Sequence, residues 1–531
     1  ELSRVIRISK LYRHSLAYSK LHTMETQIMG DTFKKLISIG VAIFAPYAAG
    51  ALGLTGFAAT AFSFVAQAAV GALLGPDDPR AGGGGGVSDS GILLNKQGTN
   101  KSVDVVYGDR RIGGTRVYIN TSDAGGVTED DKNEYLHLVI AIANGGEHAD
   151  GQTGHDLDIN KGITKILFND KTAWDSTDGI SDDFDGSLDV RLWYGKTDQT
   201  VAAPDVTAKS ITGTGLNPDE AVISDEWTSN HRMRGVAYAY LILKYDREKY
   251  PGLPTVRFDV QGKGIRGKGN PGTYTFDDAT RTNPALVLKD YLLSDRYGKG
   301  LDITDLDITS FDSAADYCTT ASLEFNGVVQ TGGTIFANTQ QILSAGNLNL
   351  VFSGGKYKCI PIKKESFTNA FTFDTSNILG QWQISLGSKK TRFNKVTVNF
   401  FNPDEDWQPD SVVIEPSAYL TEDDGQVNAK TMELPYTGSK TDAERLARFY
   451  LDSSRYQTVV AFTSTWEALK LDVGNVCYIT HSVPGWSNKK FRVNSLVLQD
   501  DSTVKVTLVE YMPDSFTLDG QTYSPYLEDT A

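Results

Sequence analysis

Two periodicities alternate along this chain. Apolar residues at every second position, or in short unbroken runs bounded by turn residues, signal β-strands; recurrence at three and four residues signals helices. Residues 103–120 (VDVVYGDRRIGGTRVYIN) read as a strand, a turn at Gly108-Asp109 followed by Arg110 and Arg111, a kink at Gly113-Gly114 and a second strand. Residues 135–143 (YLHLVIAIA) are apolar almost throughout, which predicts a strand buried on both faces. A strand and polar turn are expected at 163–175, further strands at 191–195 and 236–245, and 259–262 closes this block. Residues 395–401 alternate as a half-exposed strand does, and strands at 459–463, 476–480, 491–498 and 504–510 follow at barrel-like spacing.

Helical spacing is rarer. In residues 281–300 (RTNPALVLKDYLLSDRYGKG), Asn283 stands where a helix cap belongs and Pro284 fits the first turn. Leu286, Leu288, Tyr291, Leu292 and Leu293 follow, and Tyr297-Gly298-Lys299-Gly300 closes the stretch with two glycines. The pattern predicts one short amphipathic helix bracing the β-rich stretches on either side. A second helix is expected at 311–318. Residues 340–355 read as a short helix, a strand and a Gly354-Gly355 turn into another strand at 356–360. At 441–454 the pattern predicts a helix capped by Thr441, with Asp442 and Glu444 in its first turn and Leu446, Phe449 and Tyr450 on one face.

The N-terminal stretch is different in kind. Residues 36–75 carry no charge and are Ala- and Gly-rich, but Pro46, Gly50, Gly53 and Gly56 interrupt them. Two short hydrophobic helices with small-residue faces fit better than one membrane span. Such a surface must bury in an oligomer, against a partner chain or in lipid. Five consecutive glycines in 76–91 mark a flexible linker. Residues 1–23 are basic and, after Glu1, free of acids, while Met24 and Met29 precede MGDTFKKL. Translated upstream sequence, a basic arm and a targeting peptide all remain open for them. The organisation expected is a basic arm (1–35), a hydrophobic helical segment (36–75), a linker (76–100), a β-rich domain (101–270), an α/β brace domain (271–370) and a β-rich domain with one helix (371–531).

Composition narrows the function. The 531 residues suffice for several domains, and 51 Gly, 24 Tyr and 23 Phe suit a turn-rich β fold. A net charge of −15 disfavours a nucleic-acid-binding surface, yet it suits the wall of a channel that DNA passes without sticking. Cys318, Cys359 and Cys477 are far apart and odd in number, so no disulfide framework or zinc cluster is expected.

Motifs for chemistry fail their context tests. Gly262-x-Gly264-x-x-Gly267 matches the dinucleotide fingerprint, and with Lys268 most of a phosphate loop, but a strand-like stretch follows where a helix is needed. A flexible inter-domain turn is the expectation. The acidic stretch 178–189 does not align as a calcium loop: with Asp183, Asp185 and Gly186 in register, Ser181 comes first and Leu192 twelfth. It reads as a solvated loop. A loosely bound Ca²⁺ stays open for that loop; His148 and His155, with Asp150 and Asp156, could also offer metal ligands, and His231 is expected to cap a turn. No nucleophile beside a base has a recognisable signature. The expected sites are catalytic none, cofactor none and metal none, and the chain is not expected to be an enzyme.

Several collinear segments resemble one family. They are 105–118 (VVYGDRRIGGTRVY), 163–170, 227–246 (WTSNHRMRGVAYAYLILKYD), 252–262 (GLPTVRFDVQG), the Asn-Pro-Ala helix, 354–357, 393–403 (FNKVTVNFFNP) with Trp407, 442–463, 469–476 (LKLDVGNV), Gly485-Trp486 and Phe491-Arg492-Val493. Together they resemble the central hub of siphophage tail tips, the lambda-like host-specificity type. The resemblance implies a mainly β (α+β) protein of sandwich- or barrel-like hub domains with small helical braces, behind a hydrophobic α-helical segment. It implies a homotrimer in the virion tail tip that continues and closes the tail tube and opens for DNA ejection. Its implied partners are itself, the distal tail protein, the tape-measure protein, other tail-tip proteins and a fibre or receptor-binding chain. Residues 36–75 would add a transient host-membrane contact, and no sequence-specific nucleic-acid binding is implied. Lambda-type hubs continue into a long receptor-contacting region, whereas 521–531 form a short tail here, so receptor binding is expected on another chain. Two rival readings are a membrane-inserting channel-like protein and a tail-associated cell-wall hydrolase.

Overall fold

The unbroken apolar run at Tyr135–Asn144 needs cover on both faces, and it has it. In a computed structural model that describes residues 95–97, 102–122, 135–144, 162–195, 231–387, 391–513, 516–518 and 521–523, it is the middle strand of a five-stranded sheet. The spatial order is Lys96–Gln97, Thr115–Ser122, Tyr135–Asn144, Val236–Lys244 and Leu188–Tyr194. Leu138, Ile140 and Ile142 face a second five-stranded sheet built on Val256–Gln261 and Ile163–Phe168, and meet Ile166, Phe168 and Phe258 there. Tyr135 and Val139 belong to a separate cluster with Trp193, Tyr238, Tyr240 and Ile242, where Trp193 stacks on Tyr238 at 4.7 Å. The pair of sheets is a sandwich, and its two strand faces explain why no alternation was visible in the run.

The brace helix, α1 (Pro284–Leu293), is capped as its sequence foretells. The Asn283 side chain accepts hydrogen bonds from the backbone N–H groups of Ala285 (3.1 Å) and Leu286 (3.4 Å). Its Nδ2 donates onward to the Ala315 carbonyl, so the cap also ties α1 to α2 (Ile308–Thr320). The expected amphipathic face is not what forms: Pro284 to Lys289, Tyr291 and Leu292 are all buried. The helix lies inside the core, enclosed by α2, by α3 (Ile335–Ala345) and by the small hairpin at Ile265–Arg266 and Tyr274–Thr275. Its regular turns end at Leu293, earlier than the glycines suggested. The glycines still close it, because Lys299 N–H donates to the Tyr291 carbonyl (3.2 Å) and Leu301 N–H to that of Leu292 (3.0 Å). Gly298 has no room for a side chain: a Cβ would lie 1.7 Å from the Tyr291 oxygen.

The same core extends outward. A hairpin, Leu348–Ser353 and Lys356–Pro361, follows α3, which begins at a Thr334 cap, earlier than its pattern showed. A three-stranded sheet, Gln408–Ile414, Lys395–Asn402 and Ala429–Leu434, is covered by α4 (Lys440–Ser453), whose Leu446, Ala447 and Tyr450 share a core with Val396, Val398 and Phe400. The cap of α4 is Ser439, not Thr441: the Ser439 side chain accepts from Asp442 N–H. One hydrophobic core thus draws on Val105 and Tyr107, on α1 to α3 and on α4.

The C-terminal strands form a six-stranded curled sheet in the order Phe371–Phe373, Val476–His481, Trp486–Leu498, Val504–Glu510, Val459–Ser464 and Ile378–Ser385. In the last strand a register shift between Leu379 and Gln383 bends Trp382 across the open side. Trp382 lies 4.3 Å from His481 and 5.7 Å from Trp486, so ring contacts link the two ends where no ladder does. The fold is mainly β, as expected, and the spacing of these strands is that of a half-barrel. The hydrophobic segment at 36–75 and its linker lie outside the described residues.

Replacing Leu288 by Ala should cost about 3 kcal/mol of unfolding free energy, as for other enclosed core leucines. Val413→Ala, at a half-exposed strand position, should shift it by less than about 0.5 kcal/mol. Denaturant titration of both variants checks the pair. Gly298→Ala should destabilise by at least as much as Leu288→Ala, because the clash is with backbone rather than with a movable side chain.

Candidate functional site

A buried polar cluster lies where strand Val105–Tyr107 passes α1. Tyr107 is carried there by pairing with Gly327–Val329. Its hydroxyl donates to Asp290 Oδ2 at 2.6 Å, and the Tyr297 hydroxyl donates to the same oxygen at 2.8 Å. Lys263 Nζ donates to the Tyr297 oxygen at 2.8 Å and stands 3.9 Å from the carboxylate. One carboxylate thus gathers two phenols and an ammonium, with its own stretch and two others contributing. Burial first, and the Asp290 charge next, push the Tyr107 phenol well above its ordinary range, and Tyr297 moves the same way. Phenols held that far up stay protonated at physiological pH, and the Tyr297 oxygen accepts from Lys263 while its hydroxyl donates to Asp290. The cluster is a clamp, not an acid–base site.

The glycine stretch runs directly beside it. Gly262 N–H donates to the Gly108 carbonyl and Lys263 N–H to that of Val106. A Cβ on Gly262 would sit 2.5 Å from the Val106 oxygen, so glycine is required by close approach. Lys289, buried on α1, donates to the carbonyls of Gly267 (2.6 Å) and Gly269 (3.4 Å), and Asp312 accepts from Gly269 N–H. The expected flexible turn is therefore a pinned hairpin. An arriving phosphate would meet a carboxylate and occupied carbonyls instead of free N–H groups, which removes the dinucleotide and phosphate-loop readings.

A polar cleft of about 320 Å³ opens on the other side of Gly262, lined by Gln261, Thr275, Phe276, Asp277, Asp278 and Arg281. Arg281 is already engaged by Asp109 (2.7 Å) and Asp278 (2.6 Å). Among its lining residues no nucleophile stands beside a base.

The remaining sequence candidates separate in space. In the 178–189 stretch Asp182, Asp183 and Asp185 are exposed, Phe184 packs on Phe168 and Tyr250, and Asp189 is buried against Arg191 at 3.0 Å. Among the described residues no three metal-ligating side chains converge. His148, Asp150, His155 and Asp156 lie outside the described residues. His231 is exposed ahead of the turn that leads into Val236–Lys244. Cys318, Cys359 and Cys477 are buried, and burial pushes the Cys318 thiol up to about 12. Sequence reasoning missed the Asp290 clamp. Its one signal was a polar pair, Lys289-Asp290, inside an otherwise apolar helix.

Set beside known proteins, residues 337–495 match the family model described as a putative phage tail protein. That segment runs from α3 through the three-stranded sheet and α4 into the half-barrel. Over 466 residues the chain is 23% identical to the baseplate hub protein pb3 of Escherichia phage T5, a match covering 78% of this chain and 48% of that protein. The chain therefore spans about half the length of the curated relative it matches. Its fold is shared by a chain in the virion of a native gene transfer agent particle, at a TM-score of 0.55 and 14% identity over 88% of this chain and 96% of that one. The chain is thus similar to a phage tail protein family over residues 337–495 and to a baseplate hub protein more widely, in line with the sequence resemblance.

Two titrating groups oppose each other. His137, buried beside Tyr240, falls from 6.5 to about 4, by burial first and then the Arg191 charge. Being favoured neutral in the fold, it contributes stability that is present above pH 6.5 and lost as pH falls towards 4. Asp442 rises from 3.8 to about 6, chiefly by burial, with Arg445 opposing and Glu324 adding. Its contribution is present below 3.8 and lost as pH rises through 6. His137→Gln should therefore gain on the parent as pH falls, and Asp442→Asn should gain as pH rises. Each difference should follow about 1.4 kcal/mol per pH unit inside its window. Calorimetry of the three proteins from pH 4 to pH 7 reads both signs.

Proposed function

We propose that this chain is a structural subunit of a bacteriophage tail tip, a homotrimeric central hub that continues and closes the tail tube. In this reading it holds the end of the tape-measure protein, joins the distal tail protein, anchors tail fibres and opens for DNA ejection. Its work is mechanical and not catalytic. The observation that carries the reading is the sequence relation to a baseplate hub protein across 466 residues. The net charge of −15 supports it, since an acidic conduit repels DNA. So does the central clamp, whose buried tyrosines hold elements together and keep their protons at neutral pH. The division into head, linker and body at 36–75, 76–100 and 101–531 belongs to the same proposal, with the head packed at the tube's centre or released towards the host membrane.

The test is the mass of the purified full chain in solution, followed by its position in virions. Light scattering should give three copies, and gold-labelled antibody should mark the tail tip. A single copy that persists when the distal tail protein is added, together with label along the tail shaft, would overturn the hub.

A further inference from the structure

Arg110 is the most anomalous charge among the described residues. It sits on the strand Asp109–Ile112 and is 2% exposed. Its Nε and Nη1 are buried without a hydrogen-bond partner. The carboxylates of Asp259 and Asp406 are both taken by its neighbour Arg111, at 2.6 and 2.7 Å. What Arg110 has instead is aromatic: its guanidinium lies 4.1 Å from the Phe401 ring centre and 5.5 Å from that of Trp407. Cation–π contact offsets only part of the cost of burying a charge without a counter-ion. Burial draws the group down to about 9, which leaves it charged at neutral pH.

The cover over it is under tension. Trp407 belongs to the tip joining Lys395–Asn402 to Gln408–Ile414. Asp406 and Trp407 both adopt left-handed backbone, φ 56° and 61°, a conformation costly for residues with a Cβ. The tip is held down by Arg111, which binds both the Asp406 carbonyl (3.0 Å) and its carboxylate, and by Asn402, whose carbonyl accepts from Trp407 N–H. Residues 403–406 are otherwise exposed. An unpaired buried cation and two strained residues are stored in one place. Lifting the tip relieves the second and lets an anion relieve the first.

We propose that Arg110 is a carboxylate-binding site, closed in this structure by the 402–407 tip, which takes one carboxylate group on its free N–H groups when Trp407 moves off it. A planar guanidinium matches a carboxylate in geometry and charge. The carboxylate comes from an acidic side chain of a neighbouring protein or from a small organic acid, and the two are separable by experiment.

The test is the melting temperature of the full chain at neutral pH in sodium acetate against sodium chloride at matched ionic strength, and with a capped tripeptide carrying one glutamate. Acetate should raise the melting temperature saturably where chloride does not. A peptide effect at lower concentration than acetate assigns the site to a protein side chain; the reverse order assigns it to a small acid. Arg110→Met should melt higher than the parent in chloride, because it removes an uncompensated charge, and should lose the acetate response. Asp406→Asn, which removes the ion pair to Arg111 and keeps the left-handed backbone preference, should respond at lower acetate concentration. Equal melting of the parent in both salts, a response retained by Arg110→Met, or an Arg110→Met variant less stable than the parent would each overturn the site. An unchanged Asp406→Asn midpoint would overturn the tip as its cover.

Discussion

A helix enclosed on every side has no wet face to which its polar side chains can turn. Each one must find its hydrogen bonds inside the protein or cost free energy on the order of 1–3 kcal/mol. In α1 three such residues stand in a row, Lys289, Asp290 and Tyr291, and the neighbouring architecture answers to them, the Tyr291 hydroxyl accepting from Asn338 Nδ2. Lys289 is satisfied only because the glycine hairpin brings two carbonyls to its ammonium group. Asp290 is satisfied only because Tyr107 and Tyr297 reach it from different directions. The position of the sandwich relative to the helices is fixed through the same contacts, since Gly262 and Lys263 follow Val256–Gln261 and Tyr107 precedes Asp109–Ile112.

That dependence explains what was legible in the sequence. Asn283-Pro284, the apolar spacing after it and the two closing glycines are local signals, and the cap, the helix and its closure all formed. The strands of the half-barrel were equally readable, because turn residues separate them. The enclosure of α1 was not readable, because an apolar helix looks the same whether its last face meets solvent or another helix; only the partners decide. Gly262, Gly264 and Gly267 misled for a related reason. Glycine spacing reports where the backbone needs room, and here the room is for Val106 and Tyr274 rather than for a phosphate or for motion. The Ser439 cap of α4 lay two residues before the predicted Thr441, within the ordinary uncertainty of helix ends.

The half-barrel shows a second way of closing a structure. Its edge strands, Phe371–Phe373 and Ile378–Ser385, do not pair with each other, so the ladder stays open. The bulge at Gly380 to Trp382 sends a tryptophan to His481 and Trp486 instead. Ring contacts of this kind are non-directional compared with a hydrogen-bonded ladder, and they leave the N–H and C=O groups of the last strand uncommitted. Leu379 and Ile384 on that strand are more than a third exposed. An open edge with apolar side chains is a surface suited to a neighbouring chain, as assembly in a virion requires.

The strand Asp109–Ile112 is the place where these parts meet. Asp109 engages Arg281 at the turn before α1, Arg111 joins Asp259 of the second sheet to Asp406 of the hairpin tip, and Arg110 lies under Phe401 and Trp407. Three of its residues therefore link the sandwich, the helical core and the three-stranded sheet through charge, beside the apolar core that the helices share with that sheet. The two kinds of bond differ in consequence. Apolar cores melt together and dissolve the fold, whereas an ion pair with one exposed partner, as in Arg111–Asp406, is also open to a competing charge. A charged link of that kind is a contact that can be exchanged between the sandwich and the hairpin tip without dissolving either core, and the opening proposed for the hub would use it.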